Sequence, residues 1–471
     1  MISRIVLALS ILISASIVAA EKPHIILVMA DDQGWGDMAF MGHPDVVTPN
    51  FDKAAAEGLR FDKFYAAAPV CSPTRASVMT GRTPNRMSVY KWGHPMRPQE
   101  TTIAEALKTA GYSTSHFGKW HLGSVRKTSP ANPGANGFDH WISAPNYYDN
   151  NSPLSDNGTA IVTDGESSIV AVDFAINWMK KELKKDAPLF SVIWFGSPHA
   201  PYRAAAEDKA LYPNQPEDMQ NFLGEITGMD RAFGKLRGAL GDMGIRENTI
   251  LWYCSDNGAL PKVGSTGGHR GVKGKIYDGG LLVPAILEWP AEIKKPVTTN
   301  IRANTFDIYP TLLEIAGVTI ENQAPLDGES LVPLIEGKVS KRSRAMGFWD
   351  AAKRGVSTPS DVWMTELLEA QKAGKDLPPP ESSQHPETLP NPPESLDSLK
   401  GHAAWISGDW KLHRIIDKKS NKLTWELYDL KADSFEEKDL VDSEFERTKK
   451  MQAELETWMK SVTDSINGED Y

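Results

Sequence analysis

The chain has 471 residues, 51 Lys+Arg against 61 Asp+Glu, and a formal charge of −10. It is too long for a single small module and too acidic for a nucleic-acid binder, whose mark is concentrated positive charge. Hydrophobic residues at 41% and charged residues at 24% supply a large core and exclude wholesale disorder, and two cysteines cannot build a disulfide scaffold.

Residues 1–20 read differently from the rest. Arg4 precedes a mostly apolar run from Ile5 to Ile13, and Val18-Ala19-Ala20 supplies small residues for cleavage before Glu21. This predicts a secretory signal peptide and an exported protein, periplasmic or secreted. The apolar run is shorter than the ~20 residues of a spanning helix, so no stable membrane insertion is expected. Arg4 is the only charge in the segment, so its removal takes the net charge from −10 to −11.

From residue 21 to about 340, apolar runs alternate with helical patterns, which predicts an α/β catalytic domain with a mostly parallel central sheet and helices on both faces. Ile25 to Ala30 is a continuous apolar run suited to a strand buried on both faces. Thr48-Pro49-Asn50 offers an N-cap and a first-turn proline for a helix that Gly58 ends, and Thr101 to Ala110 repeats the pattern before Gly111. Further strands are expected at Leu189 to Phe195 and Thr249 to Cys254, each after a helical segment, Ser168 to Lys184 and Gly224 to Leu240. Residues 341–471 predict a smaller C-terminal subdomain. Its Asp376 to Ser395 stretch carries seven prolines and reads as a surface loop; Ala403 to Ile416 and Leu423 to Leu430 read as an antiparallel hairpin, and a helix capped by Ser443 runs to about Val462.

In an open α/β sheet, polar groups just past the strand ends gather on one edge. Four segments qualify here: Asp31-Asp32-Gln33-Gly34, Ser197-Pro198-His199, Ser255-Asp256-Asn257-Gly258, and Cys71-Ser72-Pro73-Thr74-Arg75 before a helix. Asp31, Asp32, Asp256 and the Asn257 amide form a set of hard oxygen donors that repels itself without a cation, which favours Ca²⁺ or Mg²⁺ over zinc. Either acidic segment alone reads first as a turn.

Cys71 at a helix start faces unpaired N–H groups and the positive end of the helix dipole, with Arg75 one turn on, so an anion or nucleophile there is stabilised. The alternative is a buried thiol or a disulfide with Cys254, which reads as core. Lys119 and His121 share one side of an extended segment, with Trp120 on the other. Lys273 lies in a glycine-rich loop with Lys262, His269, Arg270 and Lys275. Arg75, Lys119 and Lys273 together would neutralise a small tetrahedral oxyanion.

The ordered motifs resemble those of the type I sulfatases of the alkaline-phosphatase-like superfamily. They comprise Asp31-Asp32, Thr48-Pro49-Asn50, CSPTR at 71–75 with Thr80-Gly81-Arg82, GKWHLG at 118–123, SPHAPY at 197–202, SDNG at 255–258, GVKGKIYDGG at 271–280 and ELYDL at 426–430. The set looks most like the branch containing N-acetylgalactosamine-6-sulfatase and arylsulfatase A. The resemblance implies conversion of Cys71 to formylglycine (3-oxoalanine) by a formylglycine-generating or anaerobic sulfatase-maturating enzyme. It implies one Ca²⁺ held by Asp31, Asp32, Asp256 and Asn257 with the modified residue 71. It also implies that Arg75 holds the hydrated aldehyde, Lys119 and Lys273 bind sulfate oxygens, His121 orients residue 71, and His199 contacts substrate and protonates the leaving oxygen. One departure is Asp278, where glutamate is common before Gly-Gly; little effect is expected from it.

The implied reaction is sulfate-ester hydrolysis, and export favours a sulfated glycan as substrate. A phosphate or phosphonate monoester hydrolase of the same superfamily is one alternative, and a calcium-dependent glycan-binding protein with an inactive site is another. Trp92, Trp349 and the segment Asn85 to Arg97, with Arg86, Lys91, His94, Arg97 and Tyr90, are candidate saccharide contacts; a solvated loop is the competing reading of that segment.

Overall fold

The computed structural model describes residues 22–385, 389, 390, 392–417 and 419–471. The expected signal peptide and part of the proline-rich stretch lie outside them. Its strands in chain order are β1 (His24–Ala30), β2 (Leu59–Tyr65), β3 (Ser113–Lys119), β4 (His140–Ala144), β5 (Leu154–Asp156), β6 (Thr159–Ile161), β7 (Leu189–Trp194), β8 (Thr249–Ser255), β9 (Leu282–Glu288), β10 (Val297–Thr299), β11 (Ala303–Asn304), β12 (Met346–Ala351), β13 (Gly401–Ser407), β14 (Trp410–Ile416) and β15 (Leu423–Asp429).

The first eleven strands form one sheet in the order β10-β2-β9-β8-β1-β7-β3-β4-β5-β6, with β11 beside β2. β1 runs parallel to β7 and β8, and β3 parallel to β7 and β4. β9 is antiparallel to both β2 and β8, so β2 points the same way as β8. The carboxyl ends of β1, β2, β3, β7 and β8 therefore emerge on one edge.

Alternation along β1 distributes its side chains between two cores, as the two-residue period of a strand requires. Ile25, Leu27 and Met29 pack on one face with helices Cys71–Thr80, Ile103–Thr109 and Ile308–Ala316. Ile26, Val28 and Ala30 pack on the other with helices Pro49–Glu57, Ser167–Glu182 and Glu217–Asp242. Both faces are covered, which is why β1, β7 and β8 are apolar throughout rather than alternating. No helix among the described residues is long and apolar enough to cross a membrane.

Helix Pro49–Glu57 starts and stops where the sequence predicts, but Thr48 does not cap it with its side chain. Its hydroxyl donates to Asp52 Oδ1 instead. The cap comes from Asp230 in helix Glu217–Asp242, whose carboxylate accepts from Asn50 N at 2.9 Å, Phe51 N at 2.8 Å and the Asn50 amide at 2.7 Å. Asp230→Ala leaves these donors unsatisfied and is expected to cost about 2 kcal/mol. Urea unfolding checks this; a variant as stable as the parent would mean that the contact contributes nothing.

The expected C-terminal hairpin is part of a larger unit, because β12 adds a fourth strand to the antiparallel sheet β12-β13-β14-β15. One face carries Trp349, Ala403, Leu412 and Leu427 against Met451, Leu455 and Val462 of helix Phe445–Ile466. The other packs Phe348, Ala404, Ile406 and Tyr428 on Tyr65, Ile276, Leu281 and Leu282. The terminal helix begins after Glu444 rather than Ser443, whose hydroxyl donates to Leu440 O, and it continues to Ile466. Helix Ser360–Lys372 occupies a stretch for which the sequence reading offered no element.

Candidate active site

β1 is followed by Asp31-Asp32, β3 ends in Lys119, β7 is followed by Ser197 to His199, and β8 is followed by Asp256-Asn257. Parallel register brings these ends together: Ala30 pairs with Ser255, Met29 with Trp194, and Gly118 with Trp194. The loop after β2 delivers Cys71 to the same edge at the start of a helix whose ten residues are all buried. The loop before β9 brings Lys273, whose backbone N–H donates to Ala259 O at 2.8 Å. Every residue that the sequence nominated for the chemistry is in this neighbourhood.

The contacts are short. Arg75 holds Asp256 Oδ2 through Nη2 at 2.6 Å and Nε at 3.1 Å, and donates from Nη1 to Lys119 O at 3.2 Å. Lys119 Nζ donates to Asp31 Oδ2 at 2.6 Å, and Lys273 Nζ to Asp32 Oδ2 at 2.6 Å. Asp32 N donates to Asp256 Oδ1 at 3.0 Å, and Asn257 Nδ2 to Asp32 Oδ1 at 3.0 Å. Asp32 and His121 sit at φ 70° and 56°, left-handed conformations uncommon outside glycine and concentrated at functional sites. Asp31, Arg75, Lys119 and Asp256 are fully shielded from solvent, whereas the side chains of His199 and Lys273 keep 25% and 21% exposure. The site therefore opens on the His199–Lys273 side.

These residues fit a hard divalent cation. Oxygens of Asp31, Asp32 and a His199 nitrogen, and of Asp31 and Asp256 with the Cys71 sulfur, form two overlapping groups whose ligand atoms lie within 4.8 Å of one another. Asp31 Oδ1 and Asn257 Oδ1 are buried with no hydrogen-bond donor, an arrangement that costs free energy unless an electropositive partner faces them. Burial and the neighbouring Asp31 carboxylate push the Asp256 carboxyl up, against the pull of Arg75. Burial acts the same way on Asp31, but Lys119, His199, Arg75 and Lys273 outweigh it and hold that carboxyl far below the usual range. Three carboxylates against Arg75, Lys119 and Lys273 balance to neutrality, so a divalent ion leaves two positive charges in excess. That is the field an oxyanion needs.

The two histidines differ. His199 Nδ1 donates to Ala200 O at 2.6 Å, which leaves Nε2, 3.5 Å from Asp32 Oδ2, as the nitrogen facing the cluster. His121 Nε2 pairs with Thr358 Oγ1 at 3.1 Å, while its Nδ1 is buried without a partner; burial and the charge of Lys119 hold this ring neutral. Cys71 and Cys254 are both unpaired, so the disulfide alternative does not occur. Burial raises the thiol of each, with Lys119 and Lys273 opposing at Cys71.

Residues 23–318 match the sulfatase family model. The chain belongs to the sulfatase family. It is 32% identical to human arylsulfatase A over 386 residues, 73% of each chain. It is also 32% identical to pig N-acetylgalactosamine-6-sulfatase over 368 residues, 69% of this chain and 68% of that one. Among solved structures, the fold matches that of Ps i-CgsB with a TM-score of 0.78 at 26% identity, covering 94% of this chain and 93% of the other. The protein is thus a sulfuric ester hydrolase.

The structure of this sulfatase revises several readings of its periphery. Trp349 is buried in the C-terminal sheet, 3% exposed, and is no saccharide contact. The cations of Asn85 to Arg97 are committed elsewhere: Arg86 pairs with Asp327, Lys91 with Asp350, and Arg97 caps the carbonyls of Ser465 and Ile466 at the end of the terminal helix. Asp278 is not peripheral either. It is buried, accepts from Tyr65 OH at 3.1 Å, and takes Lys411 Nζ at 2.6 Å; that same ammonium lies 3.0 Å from Glu436 Oε1. Glu436 Oε2 accepts from Asp278 N, and its Oε1 accepts from His413 Nε2 at 2.7 Å. Sequence reading missed Lys411, His413, Glu436 and Thr358, because no local pattern marks a residue that acts by contact alone.

Proposed function

We propose that this sulfatase cleaves sulfate esters of a carbohydrate, using a formylglycine made from Cys71 and one Ca²⁺. The carrying observation is the convergence of Cys71, three aspartates and three cations in one shielded cluster whose solvent side is at His199 and Lys273. Asp31, Asp32, Asp256, Asn257 and residue 71 would hold the ion, which when bound neutralises the carboxylates and polarises a sulfate oxygen. In its modified state, residue 71 supplies a hydrated aldehyde, one hydroxyl of which attacks sulfur while the other expels sulfate as the aldehyde re-forms. Lys119 and Lys273 bind the sulfate oxygens and stabilise charge that grows as the S–O bond breaks; being fixed beforehand by Asp31 and Asp32, they need little reorganisation. Arg75, clamped to Asp256, keeps the pocket electropositive at its base. His199, at the solvent side, gives its Nε2 proton to the departing alcohol when the ring carries both protons, Nδ1 keeping the one that it donates to Ala200 O.

Carbohydrate is supported by what one relative is named as acting on and another was solved with. An ulvan-active sulfatase of Formosa agariphila is 30% identical over 337 residues, 67% of this chain and 65% of that one, and Ps i-CgsB was solved with k-i-k-neocarrahexaose. Export through the segment 1–20 fits an extracellular polymer. Released sulfate should appear from at least one member of a panel of carrageenan, ulvan and glycosaminoglycan oligosaccharides; a panel yielding nothing while 4-nitrophenyl sulfate is cleaved would overturn the carbohydrate assignment. Treatment with EGTA is expected to remove at least 90% of activity, with recovery on adding Ca²⁺ and with bound calcium tracked by elemental analysis. Activity indifferent to chelation would remove the metal from the mechanism.

A further inference from the structure

Fourteen tryptophans occur in the chain, and Trp92, 46% exposed, is the only one among the strongly exposed large hydrophobic residues of the described part. Its indole is not a loose surface group. A Cβ at Gly355 would run into the indole ring, so the ring packs closely on the Gly355 backbone while the residue stays 46% exposed. Val356 N donates to Trp92 O at 2.9 Å, and Gly93, at φ 78° and in close contact with Val356 O, lets the two segments approach. Gly93 N donates to Ser72 Oγ at 2.8 Å. Trp92 is thus one peptide away from a hydrogen bond to the residue that follows Cys71.

The same backing segment reaches the other side of the pocket. Three residues beyond Gly355, at most about 10 Å of chain, Thr358 Oγ1 bonds His121 Nε2 and Thr358 O accepts from Asn146 Nδ2. Next to Asn146, the Tyr147 ring lies 5.3 Å from that of His199. A chain of contacts therefore links Trp92 through Gly355, Thr358 and Asn146 to Tyr147 and His199, the group proposed to protonate the leaving oxygen. An anchored, exposed aromatic side chain tied to the site in this way suits the apolar face of a sugar ring, because little side-chain entropy remains to be lost on binding.

We propose that Trp92 is the stacking platform of a second saccharide subsite, taking the sugar ring next to the one that bears the cleaved sulfate. This rests on the carbohydrate sulfatase reading. Binding there is remote from the reacting bond and equal in ground and transition states, so its loss appears in KM rather than kcat. The test compares wild type, Trp92→Ala and Trp92→Phe on 4-nitrophenyl sulfate and on carrageenan, ulvan and chondroitin sulfate hexasaccharides. Trp92→Ala should raise KM for the hexasaccharide that is turned over at least tenfold more than it does for 4-nitrophenyl sulfate, and Trp92→Phe should recover most of that difference. Equal changes on both substrate types, or a loss in kcat alone, would overturn the subsite. If wild type cleaves 4-nitrophenyl sulfate but no hexasaccharide, the subsite falls while the sulfatase assignment stands; if it cleaves neither, both fall.

Discussion

Cys71→Ala is expected to lower sulfate release by at least four orders of magnitude, about 5 kcal/mol in activation free energy, while leaving the fold intact. The side chain is small and lies at a helix start whose surroundings are held by other contacts: Thr74 bonds Ala68 in both directions, and Arg75 bonds Asp256 and Lys119. Truncation therefore removes the proposed nucleophile without removing a structural partner. Mass spectrometry of the wild-type peptide containing residue 71 should show oxygen in place of sulfur together with two hydrogens fewer, the composition of the aldehyde. Turnover by Cys71→Ala near the wild-type level, with circular dichroism unchanged, would refute the assigned chemistry, because the binding residues alone would then be sufficient.

Lys411→Ala is expected to have the largest effect on stability, about 3–5 kcal/mol, the cost of leaving buried charges without their partner. Lys411 is fully buried between Asp278 and Glu436, and its removal leaves two carboxylates facing each other away from water. The consequence extends to the chemistry. Helix Asp278–Leu281 backs the loop that carries Lys273: Gly279 N donates to Arg270 O at 2.8 Å, and a Cβ at Gly279 would strike Gly271 O. Sulfate release should fall along with the melting temperature. Lys411→Met combined with Glu436→Gln, which removes a charge of each sign, should regain part of the lost stability. A single variant within about 0.5 kcal/mol of wild type would show that the cluster is not held by this pair.

What was readable from the residues alone has a common physical basis. Continuous apolar runs mark strands covered on both faces, and the polar groups that follow them must emerge at the strand ends, so Asp31, His199 and Asp256 were legible in the sequence. The starts and stops of helix Pro49–Glu57 were legible for the same reason, since proline and glycine constrain the backbone locally. Its capping partner was not. Asp230 reaches Asn50 and Phe51 from 180 and 179 residues away, and nothing in the intervening sequence records the contact.

The periphery shows the same division. Asn85 to Arg97 has the composition of a polyanion grip, but composition does not say which cations are already paired. The tertiary structure commits Arg86, Lys91 and Arg97 to Asp327, Asp350 and the end of the terminal helix, and leaves Trp92 exposed. Sequence by itself determined the α/β class, the edge on which the candidate residues gather and the residue types proposed for the chemistry, because those follow from local periodicity and backbone constraint. Only the tertiary structure decided which charges are paired, which aromatic side chain stays exposed and how the C-terminal sheet supports Lys273, because each depends on contacts between segments far apart in the chain.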